Sequence, residues 1–424
     1  MELNLTLVVF ASNLHDGNSV SGSRETLYSD FKSRYSLKVV SAQEYEPIKG
    51  QEEFAIAFIA TGGTEQLFLK HWQKISKPLV ILSDSFHNSL AATLEISTWL
   101  TNKGTKHRHL DYPIDPSKKY LEELHEEISM LCNIQKAFKE ITNTKVGLIG
   151  DASPWLISSD VDKYSLTSRF GVKFVDIPVI TLEEKFKNIQ NYTGKYALNS
   201  EDSLKLIDNF RKLTVGDRTS NDVTDAVKLY ISIKQLVQEN ELNALSIKCF
   251  DLIHTCNTTA CLALSVLNDR GLVSGCEGDI PTLWSMIIAR SLLNKAVFMA
   301  NPSSIDRSDN TVDFAHCTAP VSFSESYTLP SHYESKQGIG VAAKLILGKY
   351  TIFKCGGEKL DKYFVAHGEV IQNTNVTERC RTQVKFRFKS GEEMDSFLNS
   401  HLGNHIVLIP GKHKKEIMSF FELY

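Results

Sequence analysis

The sequence predicts an α/β protein with a β-rich C-terminal part, and three observations lead there. Its first third alternates continuous apolar runs with helix-like stretches. A second alternation of the same kind begins near Val172. Beyond about Tyr327 the texture changes to segments rich in aromatic and β-branched residues, separated by glycine breaks. Strand-helix alternation implies doubly wound α/β domains. The last texture implies antiparallel β structure, a sandwich or small barrel.

In the first region the strand-like runs are Leu3 to Ala11, Phe54 to Ala60, Leu79 to Leu82 and Lys145 to Ile149. They are apolar throughout rather than alternating, which suits parallel strands covered on both faces. Ser89 to Leu100 and Tyr120 to Ile141 read as the intervening helices. Polar residues close each run, including Thr61-Gly62-Gly63-Thr64 and Ser83 to Asn88. Such strand ends line the crevice of a doubly wound sheet, although a Gly-Gly pair equally suits a tight turn. The pair is not a dinucleotide fingerprint, because no GxGxxG follows. Asn88 or Ser89 is expected to cap the next helix.

In the second region Val172 to Ile177 and Ala244 to Cys249 read as strands. Asn199 to Leu213, Thr219 to Asn240 and Thr258 to Asn268 read as helices, the second opened by the cap cluster Thr219 to Asp222. In the third, Tyr350 to Lys354, Tyr363 to Val370, Gln383 to Phe388 and Ile406 to Ile409 read as strands. The expected domains are 1–165, 166–326 and 327–424.

With 424 residues, a 42% hydrophobic fraction and 23% charged residues, the composition is that of a soluble globular protein of two or three domains. A net charge of −3 gives no electrostatic case for a nucleic-acid or anionic-membrane partner. No run reaches the roughly 18 apolar residues of a membrane helix, and the N-terminal apolar run lacks the flanks of an export signal. The eight cysteines include no CxxC pair, which points to free thiols in a reducing cytoplasm. The Asn-x-Thr sequons, such as that at Asn191, would then go unused.

The residues suited to chemistry gather between Gly275 and Pro320. Glu277 and Asp279 flank Gly278, and Asp279 precedes Ile280-Pro281 at the start of an apolar helical run. Asp279 there suits a helix N-cap, with Pro281 in the first turn, or a catalytic acid. Glu277 has no such structural purpose and can bind a divalent cation or act as a general base. Asn301 follows the apolar Ala296 to Ala300, His316 follows Val312 to Ala315, and His405 precedes the last strand. Carboxylate, amide oxygen and imidazole together suit Mn²⁺ or Mg²⁺, whereas the spacing is not a zinc pattern.

Cys276-Glu277-Gly278-Asp279-Ile280-Pro281, Val297 to Pro302 and Phe314-Ala315-His316-Cys317-Thr318 occur in this order. Together with Leu402-Gly403-Asn404-His405 and the stretch from Gly356-Gly357 to Tyr363-Phe364, they resemble the L-fucose/L-arabinose isomerase family, nearest its shorter fucose isomerase-like members. The resemblance runs from about Leu245 to the C-terminus. It implies two Rossmann-like α/β domains followed by a C-terminal antiparallel β-barrel-like domain. It also implies an aldose–ketose isomerase working through an enediol, with Mn²⁺ or another divalent cation such as Mg²⁺, assembled as a cytoplasmic homo-oligomer, a trimer or hexamer. Glu277 would be metal ligand and acid/base, with Asp279 as a further catalytic acid, and Glu277, Asn301, His316 and His405 would hold the metal. Asn301 stands where the family's second acidic ligand belongs. An amide cannot act as a carboxylate base, though its oxygen can still coordinate, so the second acid would have to be Asp279 or Asp306. Other metal-dependent carbohydrate chemistry, or sugar binding without catalysis, are the alternatives.

Overall fold

The computed structural model describes residues 3–13, 22–47, 53–159 and 161–424. The chain divides into two compact units, Met1–Lys136 with Met418–Tyr424, and Ala137–Ile417. The division falls within the helix Lys118–Thr142.

The first unit is built on a parallel sheet of β1 (Asn4–Phe10), β2 (Ser36–Ser41), β3 (Phe54–Ile59), β4 (Leu79–Asp84) and β5 (His107–Tyr112), in the order β2-β1-β3-β4-β5. The central strands β3 and β4 are buried along their whole length, as their unbroken apolar runs require. The strand order reverses between β1 and β3, where doubly wound sheets open a crevice. The polar residues at these strand ends mostly bond to one another. Thr61 Oγ1 accepts from the Ser12 amide at 2.8 Å, Gly62 N donates to His87 O at 2.7 Å, and the Thr64 hydroxyl donates to Thr61 O at 2.8 Å. These bonds are those of a tight turn at Thr61–Thr64. Asn88 occupies the N-cap position of the helix Ser89–Asn102, but with a left-handed backbone and no side-chain cap. The Ser89 hydroxyl instead accepts from the Asp84 amide at 2.9 Å and donates to Ile59 O.

The second unit joins a parallel sheet to a barrel. β6 (Lys145–Ile149), β7 (Lys173–Ile177), β8 (Ala244–Ile247) and β9 (Val273–Cys276) run in the order β7-β6-β8-β9. The remaining strands are β10 (Phe298–Asp306), β11 (Thr311–His316), β12 (Ser324–Thr328), β13 (Ala342–Leu345), β14 (Gly348–Gly356), β15 (Lys362–Asn373), β16 (Thr382–Phe388) and β17 (Ile406–Pro410). Six of them close an antiparallel barrel, β10-β11-β16-β15-β14-β17, while β12 and β13 pair separately. The fold is therefore α/β with a closed antiparallel barrel in the C-terminal region.

Two strand memberships differ from the sequence expectation. Lys145–Ile149, read as the fourth strand of a domain ending at residue 165, pairs with β7 and β8 in the second sheet. Its apolar pattern fitted either parallel sheet, since pattern reports burial and not partner. β10 and β11, read within 166–326, are barrel strands. A short apolar run does not distinguish a parallel core strand from a barrel strand.

The helix Ile280–Leu293 is buried on nearly every side and touches β9, β14 and β17, so it couples sheet to barrel. Its all-round apolarity is that of a core helix. The helix Ser220–Glu239 starts in a capping box of Thr219 and Asp222, as its cap cluster predicts.

Candidate active site

The site forms at the C-terminal edge of the second sheet. β9 ends at Cys276, and the next two residues turn sharply: Glu277 has φ 63° and Gly278 φ 73°. At Gly278 a side chain is excluded, because a Cβ would stand 2.5 Å from Asp151 O. Glu277 holds a left-handed backbone without being glycine, a conformation that costs energy and gathers at functional positions. Its carbonyl accepts from Ser153 N at 2.8 Å. The turn leaves Asp279 at the N-cap of the helix Ile280–Leu293, accepting from Thr282 N at 2.9 Å.

Glu277 is nearly buried and gripped from two sides. Trp155 Nε1–H donates to its Oε2 at 2.7 Å. Its Oε1 faces two imidazoles, with His405 Nε2 at 3.6 Å and His316 Nε2 at 3.9 Å. The ring centroids of these histidines are 5.4 Å apart. His316 is the last residue of β11, and its Nδ1 hydrogen-bonds with Thr318 Oγ1 at 2.9 Å. His405 precedes β17 and donates from Nδ1 to Asp279 Oδ2 at 2.8 Å. Asp279 Oδ2 also accepts from the Thr282 hydroxyl at 2.6 Å and lies 3.6 Å from Lys354 Nζ. Lys354, on β14, is buried and donates to Thr282 Oγ1.

The charges in this cluster support one another. Burial pushes the Glu277 carboxyl up, but the His316 and His405 imidazoles outweigh it and hold it well below the usual carboxylate range. Burial likewise opposes ionisation of Asp279, and Lys354 and His405 overcome it. Burial disfavours a charged His405, yet the carboxylates of Asp279 and Glu277 raise its pKa. Burial lowers the pKa of Lys354 despite Asp279.

Glu277, His316 and Asn301 line one cavity, together with Phe250, Thr259, His332, Glu334 and five cysteines. The structure thus gathers Glu277, His316 and His405, with Asn301 on the same wall. Asn301 Oδ1 accepts from Asn404 Nδ2 at 3.1 Å. Asp279 is brought to the cluster, but both its oxygens are committed to Thr282 and His405. Asp306 does not join. It lies at the surface end of β10, accepting from the amide and hydroxyl of Ser308.

The arrangement fits a divalent cation on one independent observation. His405 Nε2 is buried with no hydrogen-bond partner, a costly state for a polar atom unless something occupies its lone pair. Its other nitrogen is tied to a carboxylate, which is how a ligating histidine is held. Two donors each about 2.0–2.2 Å from one ion stand no more than about 4.4 Å apart, and both imidazole nitrogens satisfy that with Glu277 Oε1. Among the described residues the trio whose donor atoms all lie within 4.8 Å of one another is Cys276, Glu277 and His316, and His405 is not part of it.

Sequence reasoning missed Trp155, Lys354 and the clustering of thiols. Trp155 lies far upstream of the Gly275–Pro320 stretch. Lys354 sits in a strand pattern where a lone lysine reads as solvent-facing. No local signal marks either one.

No family model matches the sequence. Among curated proteins the chain is similar to a sulfoquinovose isomerase of Priestia megaterium, 28% identical over 238 residues, or 54% of this chain and 51% of the relative. It is also similar to one from Alkalicoccus urumqiensis, 23% identical over 311 residues, covering 71% of this chain and 68% of that protein. One from Clostridium sp. is 35% identical over 104 residues, 24% of this chain and 23% of the relative. The matched stretch thus spans about half the length of the Priestia relative.

Proposed function

We propose that this chain is an aldose–ketose isomerase of the L-fucose/L-arabinose isomerase type, acting on the open-chain form of a monosaccharide. The observation that carries the reading is the convergence of Glu277 from the parallel sheet with His316 and His405 from the barrel, Glu277 and His316 sharing one cavity wall. The names of the similar proteins support it and make sulfoquinovose the first substrate to assay.

In this reading Glu277 is the base. Held ionised by its imidazole neighbours, it takes the proton from C2 of the open-chain aldose and returns it to C1. The C2–H bond breaks, a C1–H bond forms, and the enediol lies between. The hydroxyl proton passes from O2 to O1, with His316 Nε2 the imidazole nitrogen nearest Glu277 on the cavity wall. Trp155 fixes the carboxylate by occupying Oε2. Asp279 acts as a positioning residue and not as the second acid, since its oxygens cap the helix and orient His405. Mn²⁺ or Mg²⁺, held by Glu277, His316 and His405 with the amide oxygen of Asn301, would polarise the sugar carbonyl and stabilise negative charge developing on its oxygens.

The test is turnover of sulfoquinovose and a panel of aldoses and ketoses by purified protein, with and without Mn²⁺. Interconversion that disappears in Glu277→Gln supports the reading, and metal-replete protein inert toward the whole panel sinks it. Asn301 favours a second reading on the same fold, a carbohydrate enzyme of different chemistry or a sugar-binding protein. Sugar-induced thermal stabilisation without turnover would select the latter. A cytoplasmic homo-oligomer, trimer or hexamer, belongs to the same proposal, and light scattering on the purified protein tests the assembly.

A further inference from the structure

We propose that Cys276 is a protein ligand to the cation held at Glu277 and His316, so that the site is built for a thiophilic borderline ion such as Zn²⁺ or Co²⁺ rather than for a hard one. The inference rests on the reading that Glu277 and His316 hold a cation. It departs from the donor set drawn from sequence, which contains oxygen and imidazole nitrogen alone.

Three features of the site carry it. Cys276, Glu277 and His316 place one sulfur, one oxygen and one nitrogen donor mutually within 4.8 Å, each residue buried. All three residues line the same cavity, so an ion among them would be open to a substrate oxygen. With those three as ligands and His405, which does not line the cavity, left beside Glu277, one position stays open, which is the form of a catalytic zinc site.

The second feature is what Asn301 lacks. An amide brings no charge, so a hard dication loses the attraction of a second carboxylate at this wall. Asn301 Oδ1 is moreover engaged by Asn404 at 3.1 Å. A thiolate at Cys276 restores the missing negative charge, and soft ligands shift preference toward zinc and cobalt over manganese and magnesium.

The third feature is outer support. Cys249 Sγ lies 3.0 Å from Cys276 Sγ, in hydrogen-bonding contact. Without an ion the Cys249 contact and burial hold Cys276 as a thiol; a bound cation would displace that proton, and the Cys249 S–H would then be free to donate to the thiolate. Such outer partners orient metal ligands and tune their affinity. The contact also explains a thiol pair that the isomerisation chemistry does not use.

The test strips the full-length protein with a chelator and reloads it with Co²⁺. A near-ultraviolet sulfur-to-cobalt charge-transfer band is expected, lost in Cys276→Ser and retained in Cys249→Ala. X-ray absorption on the unaltered zinc-loaded protein should show a sulfur neighbour at about 2.3 Å beside nitrogen and oxygen neighbours near 2.0–2.1 Å. That measurement needs no variant and stands if Cys276→Ser fails to fold. In competition titrations the ratio of zinc to manganese affinity should fall at least tenfold in Cys276→Ser. Stoichiometric cobalt binding that Glu277→Gln abolishes but that shows no sulfur band overturns this inference and leaves the isomerase reading intact. No cobalt binding at all overturns both. A sulfur band in a protein inert toward every sugar keeps the inference and removes the isomerase.

Discussion

Asp279 Oδ2 accepts the Nδ1 proton of His405 at 2.8 Å across 126 residues of sequence. The same carboxylate caps the helix Ile280–Leu293, so one residue both starts a helix and fixes which nitrogen of His405 faces Glu277. Asp279→Asn keeps the cap and weakens the hold on His405. Mn²⁺ or Co²⁺ affinity measured by calorimetry should drop about 10- to 100-fold, the usual effect of removing such a partner. Unchanged affinity would reduce Asp279 to a helix cap.

The stability of the chelator-stripped protein should depend on pH with two limbs. Asp279 and Glu277 have pKa values depressed on folding, burial being outweighed by Lys354 and His405 for the one and by His316 and His405 for the other. Their contribution is present above the unfolded values of about 4 and fades as pH falls toward the folded ones. His405 is shifted the other way, burial being outweighed by Asp279 and Glu277. It contributes fully below about 6.5 and loses that as pH rises through its folded value. Urea denaturation from pH 3 to 8 should therefore place this cluster's largest contribution between about 4 and 6.5. Asp279→Asn should flatten both limbs.

Trp155 is half exposed, so Trp155→Phe should leave the melting temperature nearly unchanged while removing the indole donor to Glu277. Loss of one hydrogen bond to a charged group, about 1.5 kcal/mol or more, predicts a fall in kcat of about tenfold or more. A lower melting temperature with unchanged kcat would mean that the ring packs rather than positions.

Asn301→Asp supplies the carboxylate that the resemblance leads one to expect. Because Asn301 lines the cavity with Glu277 and His316, the substitution should tighten Mn²⁺ binding about tenfold or more and raise turnover. Manganese titration followed by the isomerase assay checks both.

Gly278→Ala should destabilise by about 2 kcal/mol or more, because its backbone is left-handed and a Cβ would strike Asp151 O. The neighbouring Glu277 would shift as well. Turnover should fall further than the melting temperature alone accounts for.

Much of this was legible in the sequence. β3 and β4 announced themselves by unbroken apolar runs, and the capping box at Thr219 by its residue types. β2 and β5 were missed because they form the two edges of the first sheet and carry polar residues, as in Ser36–Ser41 and His107–Tyr112. The separate motifs around Glu277, Asn301, His316 and His405 were visible, and the structure brings three of them face to face. The roles of Lys354 and Trp155 were not. A buried lysine reads like an exposed one until its carboxylate partner, 75 positions away in the numbering of Asp279 and Lys354, is seen beside it.

The barrel closes where β17 joins β10 and β14, and His405 immediately precedes β17. A growing polypeptide can therefore complete the parallel sheet, with Glu277 at its edge, long before it owns the second of the two imidazoles that face it. Maturation of the site waits on the final strand. Gain of cation binding would then serve as a readout of finished synthesis and barrel closure, and refolding followed by bound cobalt should lag behind refolding followed by helix content.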